Sequence, residues 1–166
     1  IRDLGRAVEL DPRSAETYYN RAEAHRNYGR YAEAIRDYGR ALKIDPRKLH
    51  AYTNRALARL ELGQIEQARR DVLTSLQLAP RYTYAWGLAA RIELKLGRPG
   101  PAAEYASRAI RQNPEFADPY GIRAKARLEM GDVDGAREDV ASLRRLGVSP
   151  ASELVEALSR AATRPG

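Results

Sequence analysis

The chain has 166 residues, of which 43% are hydrophobic and 31% charged, and carries a formal net charge of +7. That composition is one of a folded chain, not a disordered one. It contains no cysteine, which excludes disulfides, a cysteine zinc site and a thiol nucleophile, and no apolar run approaches the roughly 20 residues of a membrane span.

Residues 1–10 read as a helix stopped by Asp11-Pro12, because the residue before a proline is pushed out of the α region. From residue 15 the chain repeats every 34 residues: Tyr18, Tyr52, Trp86 and Tyr120 keep that spacing, as do Gly29, Gly63, Gly97 and Gly131 and also Ala34, Ala68, Ala102 and Ala136. Pro12, Pro46, Pro80 and Pro114 keep it too, and a fixed period over four columns signals an array of stacked supersecondary units. In the first copy, residues 15–48, one helix runs from 15 to about 28, with Tyr18, Ala22 and His25 on a single face. Gly29 supplies the positive φ at which a helix ends. A second helix, from about 32 to 44, carries Ala34, Ile35, Tyr38, Ala41, Leu42 and Ile44 as its apolar stripe, and Asp45-Pro46 closes it. The same reading holds for residues 49–82, 83–116 and 117–150. In the third copy the turn is Gly97-Arg98-Pro99-Gly100-Pro101, read as a stiff variant turn because proline is harmless in the first turn of a helix. Small residues (Ala22, Ala56, Ala90 and Ala124) mark where paired helices approach closely, and no segment alternates with the period of a strand.

These columns resemble the tetratricopeptide repeat family over nearly the whole chain. The resemblance implies an all-α, right-handed superhelical solenoid of antiparallel helix pairs with nine to ten helices. Residues 1–14 are then the second helix of a half repeat, and residues 151–166 a C-terminal capping helix and tail, with Leu154, Val155 and Leu158 turned inward and Glu153, Glu156 and Arg160 outward. It also implies a concave groove lined by the first helix of each repeat. The candidate groove residues are Tyr19, Asn20, Glu23, His50, Asn54, Leu57, Tyr84, Leu88, Arg91, Ile122 and Lys125. One groove column reads Asn20, Asn54, Leu88 and Ile122. Asparagine there suits a peptide backbone, offering it both a donor and an acceptor, and the aliphatic pair suits apolar side chains. The family's clamp for a terminal carboxylate is disfavoured: where it asks for lysine and asparagine the first copy has Tyr19 and Glu23, and where it asks for basic residues the third has Tyr84 and Leu88.

Chemistry-bearing residues are few. His25 and His50 are the only histidines, read as a packed residue and a groove-facing one. No serine, histidine and acid stand in a triad pattern, and the glycines end helices and cradle no phosphate. The expectation is no enzyme, no metal and no cofactor. The surplus positive charge falls at turns, on Arg13, Arg47 and Arg81 with Arg30, Lys48 and Arg98, while the groove positions look roughly neutral: Arg26, Arg91, Lys95 and Lys125 against Glu16, Glu23, Glu61, Asp118 and Glu129. Without interleaved aromatics the basic edge has no device for reading bases, so nucleic acid is disfavoured.

Two columns change together. Arg21, Arg55 and Arg123 accompany Asp37, Asp71 and Asp139, whereas the third copy has Ala89 and Tyr105; three ion pairs across helix pairs are expected. The functional expectation is a non-catalytic scaffold that binds a peptide or protein segment in its groove. A self-associating or regulatory module of a larger enzyme or secretion protein is the alternative. The chain begins at Ile1 without methionine and reads as part of a longer protein, so a targeting segment is not accounted for; the compartment stays open, with the cytoplasm preferred.

Overall fold

A computed structural model of the chain describes residues 2–162. Among these residues are ten α-helices and no strand: α1 (Arg2–Leu10), α2 (Ala15–Asn27), α3 (Tyr31–Ile44), α4 (Leu49–Glu61), α5 (Ile65–Leu78), α6 (Thr83–Lys95), α7 (Pro99–Gln112), α8 (Asp118–Glu129), α9 (Val133–Arg145) and α10 (Ser152–Ala162). The expected starts at Ile1 and the tail after Ala162 lie outside the described residues. The helices fall into two compact units, α1–α5 within Ile1–Pro80 and α6–α10 within Arg81–Gly166.

The boundaries follow from local chemistry. Gly29, Gly63, Gly97 and Gly131 take φ values of 70°, 69°, 67° and 82°. The next residue then donates its N–H back over the helix end: Arg30 to the His25 carbonyl at 2.9 Å, Gln64 to Arg59 at 2.8 Å, Arg98 to Glu93 at 2.9 Å and Asp132 to Arg127 at 2.9 Å. This glycine-dependent closure satisfies carbonyls that a helix end would leave orphaned. A fifth glycine, Gly147 at φ 74°, closes α9 in the same way, with Val148 donating to Leu143 at 3.0 Å. It aligns with Asp45, Ala79 and Asn113, each followed by a proline in the earlier copies and by Val148 here, and it lay outside the repeating glycine column. The proline-rich turn of the third copy is no longer than its counterparts: α7 begins at Pro99, three residues past α6.

Each unit has its own core, built around alanines. In the first, Ala22, Ala34, Tyr38, Leu42, Ala51 and Ala58 cluster between α2, α3 and α4, and Val8 of α1 packs with Tyr18 and Ala41. In the second, Ala90, Ala106 and Ile122 form one cluster, and Ala124, Ala136, Val140, Leu154 and Leu158 another. The alanine columns are fully buried; their small side chains let helix axes approach closely. Leu154 and Leu158 turn inward from α10, whereas Glu153, Glu156 and Arg160 are exposed.

The three expected ion pairs form. Arg21 donates from Nε and Nη2 to the two oxygens of Asp37, at 2.6 and 2.8 Å. Arg55 makes the same fork to Asp71 at 2.8 and 2.6 Å, and Arg123 to Asp139 at 3.0 Å or less for its best Nε and Nη2 bonds. The carboxylates are almost fully buried, at 3%, 3% and 1% exposed, and such charges persist only when paired and hydrogen-bonded. A second cation joins from the column His25, Arg59, Glu93 and Arg127: Arg59 and Arg127 both reach the aspartate of their copy, and the His25 ring lies 3.8 Å from Asp37. The sequence reading missed this column. In the third copy it holds Glu93, buried at 1% exposed, with Arg98 at 3.6 Å.

The aromatic column is buried unevenly. Tyr18 is 9% exposed, but Tyr52, Trp86 and Tyr120 are only half-buried. A cation lies over each ring. Arg21, Arg55 and Arg123 each sit 5.7 Å from the ring centroid of Tyr18, Tyr52 and Tyr120. In the third copy, where Ala89 removes the arginine, Arg108 lies 4.8 Å over Trp86 and the Tyr105 ring packs against it tilted by 52°, with centroids 5.4 Å apart. The substitutions at Ala89 and Tyr105 thus preserve a covered ring by different atoms.

Candidate functional site

In the first unit the candidate residues converge on one carboxylate. Asn54 of α4 donates both amide hydrogens, to Glu23 Oε1 at 2.8 Å and to the Tyr19 hydroxyl at 3.1 Å. The Tyr38 hydroxyl of α3 also donates to Glu23 Oε1, and Arg26 donates to Oε2 at 3.1 Å. Burial pushes the Glu23 carboxyl up, but the hydrogen bonds from Arg26, Tyr38 and Asn54 outweigh it and leave the group below the usual carboxylate range. Burial, reinforced by Glu23, holds the Tyr38 phenol far above its ordinary value, so it stays a donor. Lys48 lies 4.8 Å over the Tyr19 ring and pairs with Glu16. The Asn54 amide hydrogens, expected to meet a ligand backbone, are therefore engaged inside the chain, which leaves its carbonyl oxygen. Asn20 is exposed, as is His50; Leu57 is half-buried and borders a shallow depression with Arg26, Tyr31 and Glu61.

The second unit is built differently. Leu88 is 3% exposed, so its side chain is spent on packing in α6 and offers little surface to a ligand. Tyr84 is 40% exposed, its ring 6.4 Å from that of Phe116. Three of the candidates, Arg91, Ile122 and Lys125, line a cleft of about 620 Å³, within the usual range of ligand sites. Leu94 and Lys95 of α6 join them, together with Leu143 at the end of α9, Val148 and Pro150 of the α9–α10 connection, and Leu154 of α10. Leu143 had a signal in the sequence: it is the bulky member of a column that otherwise reads Ala41, Ser75 and Ala109. Arg91 is held by Asp118.

The neutrality expected of the groove positions is only a sum. Glu16, Glu23 and Glu61 belong to the first unit with Arg26, while Arg91, Lys95 and Lys125 belong to the second with Asp118 and Glu129. Among the described residues no group of three or more histidine, aspartate or glutamate side chains is arranged to hold a metal, and no helix is long and apolar enough to cross a membrane.

Comparison with known proteins gives the same architecture. Residues 15–48 and 53–117 match two models described as tetratricopeptide repeat. No curated protein matches the chain in sequence. Among solved structures, the chain is similar to MamA from Desulfovibrio magneticus RS-1, with a TM-score of 0.83 and 19% identity over 88% of this chain and 82% of that one. It is similar to PilF of Pseudomonas aeruginosa, with a TM-score of 0.84 and 22% identity over 96% and 72% of the two chains. It is also similar to the first TPR of Spaghetti (RPAP3), solved bound to the HSP90 peptide SRMEEVD, with a TM-score of 0.68 and 22% identity over 70% and 92%. At these identities the likeness is one of fold.

Proposed function

The chain belongs to the tetratricopeptide repeat family, and from that premise we propose that it is a non-catalytic scaffold that binds a segment of another protein along its first-helix faces. The observation that carries the reading is the cleft of the second unit: α6 and α8 bring Arg91, Ile122 and Lys125 to one surface, with an apolar floor and a charged rim. That combination is typical of sites that orient a ligand by a few polar groups over a mostly apolar surface. The first unit contributes Asn20, exposed on α2, and the carbonyl oxygen of Asn54, whose amide is held in place by Glu23 and Tyr19. A structural relative solved bound to the peptide SRMEEVD supports peptide binding as a use to which this fold is put. Affinity from such a surface is modest, because ordering a flexible segment opposes binding.

The test is affinity capture with the chain, followed by titration of the captured partner against the wild type and against Asn20→Ala and Lys125→Ala. Both side chains are exposed, so neither change disturbs packing. Weaker binding by either variant is the expected result. Unchanged affinity for both, with loss on changing Arg47 or Arg81, moves the site to the turns and removes the reading.

A further inference from the structure

The cleft of the second unit has a sharper chemistry than the scaffold reading requires. Its floor is Leu94, Ile122 and Leu154, with Ile122 and Leu154 8% and 3% exposed. Gly121 opens that floor: a Cβ built on it meets only Leu143 Cδ1, at 3.8 Å. Three cations stand around it. Arg91 is held by Asp118, whereas Lys95 and Lys125 are exposed and their ammonium groups make no hydrogen bond or ion pair among the described residues. No aromatic side chain lines the cleft, so it has no stacking platform for a nucleobase.

We propose that this cleft takes an acidic segment of a partner protein carrying one aliphatic side chain, the aliphatic group entering over Gly121 between Leu94, Ile122 and Leu154, and flanking carboxylates meeting Lys95 and Lys125. The proposal rests on the scaffold reading and gives its partner a chemistry. Charge complementarity selects the occupant. Three cations face one carboxylate, and the two lysines that lack a partner come from different helices, so the segment brings at least two negative groups. A single terminal carboxylate neutralises only one of them. Lysine, a compact charge on a flexible stem, accepts carboxylates without demanding the fixed fork geometry of arginine.

The experiment uses the full chain and a fluorescein-labelled peptide with both ends capped, Gly-Asp-Glu-Leu-Asp-Glu-Gly, followed by anisotropy. The expected result is saturable binding that weakens about tenfold or more when Leu becomes Ser, when the acids become their amides, or when the chain carries Lys95→Ala and Lys125→Ala together; a tenfold loss corresponds to about 1.4 kcal/mol. Gly121→Leu, which fills the cleft from an open position, abolishes binding while circular dichroism and thermal midpoint show an intact fold. Binding weakens as salt rises, since exposed charges are screened. The proposal is overturned if the capped peptide does not bind at millimolar concentration, or binds the double lysine variant as well as the wild type. It is also overturned if an uncharged peptide with a free C-terminal carboxylate binds better than the acidic one, or a single-stranded oligonucleotide competes for the same lysines. If the captured partner still depends on Asn20 while the acidic peptide fails, the scaffold reading stands and this inference alone falls.

Discussion

At the scale of single residues, the fold is held by buried carboxylates that each meet two cations. Asp71 accepts from Arg55 and Arg59, and Asp139 from Arg123 and Arg127. Removing one partner of such a pair leaves an uncompensated charge in a dry interior, whereas removing both leaves only a gap. Asp71→Ala should therefore cost about 3–5 kcal/mol, and the combination with Arg55→Met should recover part of it. A double-mutant cycle by urea denaturation measures the coupling, and zero coupling removes the pair from the account. Glu23 offers a second test. Its carboxyl lies below the usual range: burial raises it, and the bonds from Arg26, Tyr38 and Asn54 more than offset that. A carboxyl whose pKa is lower in the folded state stabilises the fold above its unfolded value, about 4.3, and that contribution is lost as pH falls through the folded value. Urea midpoints measured from pH 6 down to pH 3 should fall less steeply for Glu23→Gln than for the wild type. Parallel curves would show that the network around Glu23 does not favour its ionised form.

At the scale of helices, two kinds of glycine behave oppositely. Gly39 lies inside α3, and a Cβ added there meets only Arg55 Nη1 at 3.6 Å, an ordinary contact. Gly39→Ala should stabilise by about 0.5–1 kcal/mol, the usual gain of alanine over glycine in a helix interior. Gly63, at φ 69°, ends α4 in a conformation that side chains resist, so Gly63→Ala should destabilise by about 1 kcal/mol. Thermal or urea unfolding of the pair checks the opposite signs. Helix ends of this kind were legible in the sequence because glycine and proline act locally and recur every 34 residues. Gly147 escaped because it lies outside the glycine column, at the position that reads Asp45, Ala79 and Asn113 in the earlier copies. The Arg–Asp pairs were legible through their joint absence in the third copy. What could not be read was which side chains a neighbour would already occupy. Asn54 looks like a free amide in sequence, and only the fold puts Glu23 and Tyr19 beside it. Leu88 looks like groove surface, and only packing shows it 3% exposed.

At the scale of the molecule, each unit holds small alanine-lined cores, and each core depends on the helix that covers it. In the second unit α10 supplies Leu154 and Leu158 to the cluster of Ala124, Ala136 and Val140. Leu158→Ala should cost about 2–4 kcal/mol, as buried leucine truncations do, and the loss should appear first as faster hydrogen exchange in α8 and α9. Slower exchange elsewhere with α8 and α9 unchanged would mean that α10 covers nothing that matters to them. The charge pattern is also visible only at this scale, with acidic groove positions in the first unit and basic ones in the second. The central claim, that the first helices carry the interaction, is tested most directly by photo-crosslinking. A photoreactive residue is placed in turn at Asn20 of α2 and Lys125 of α8, and at Arg70 of α5 and Glu138 of α9, all exposed positions, and crosslinks to the captured partner are read by mass spectrometry. The account predicts crosslinks from positions 20 and 125 and none from 70 and 138. Crosslinks confined to 70 and 138 would contradict it.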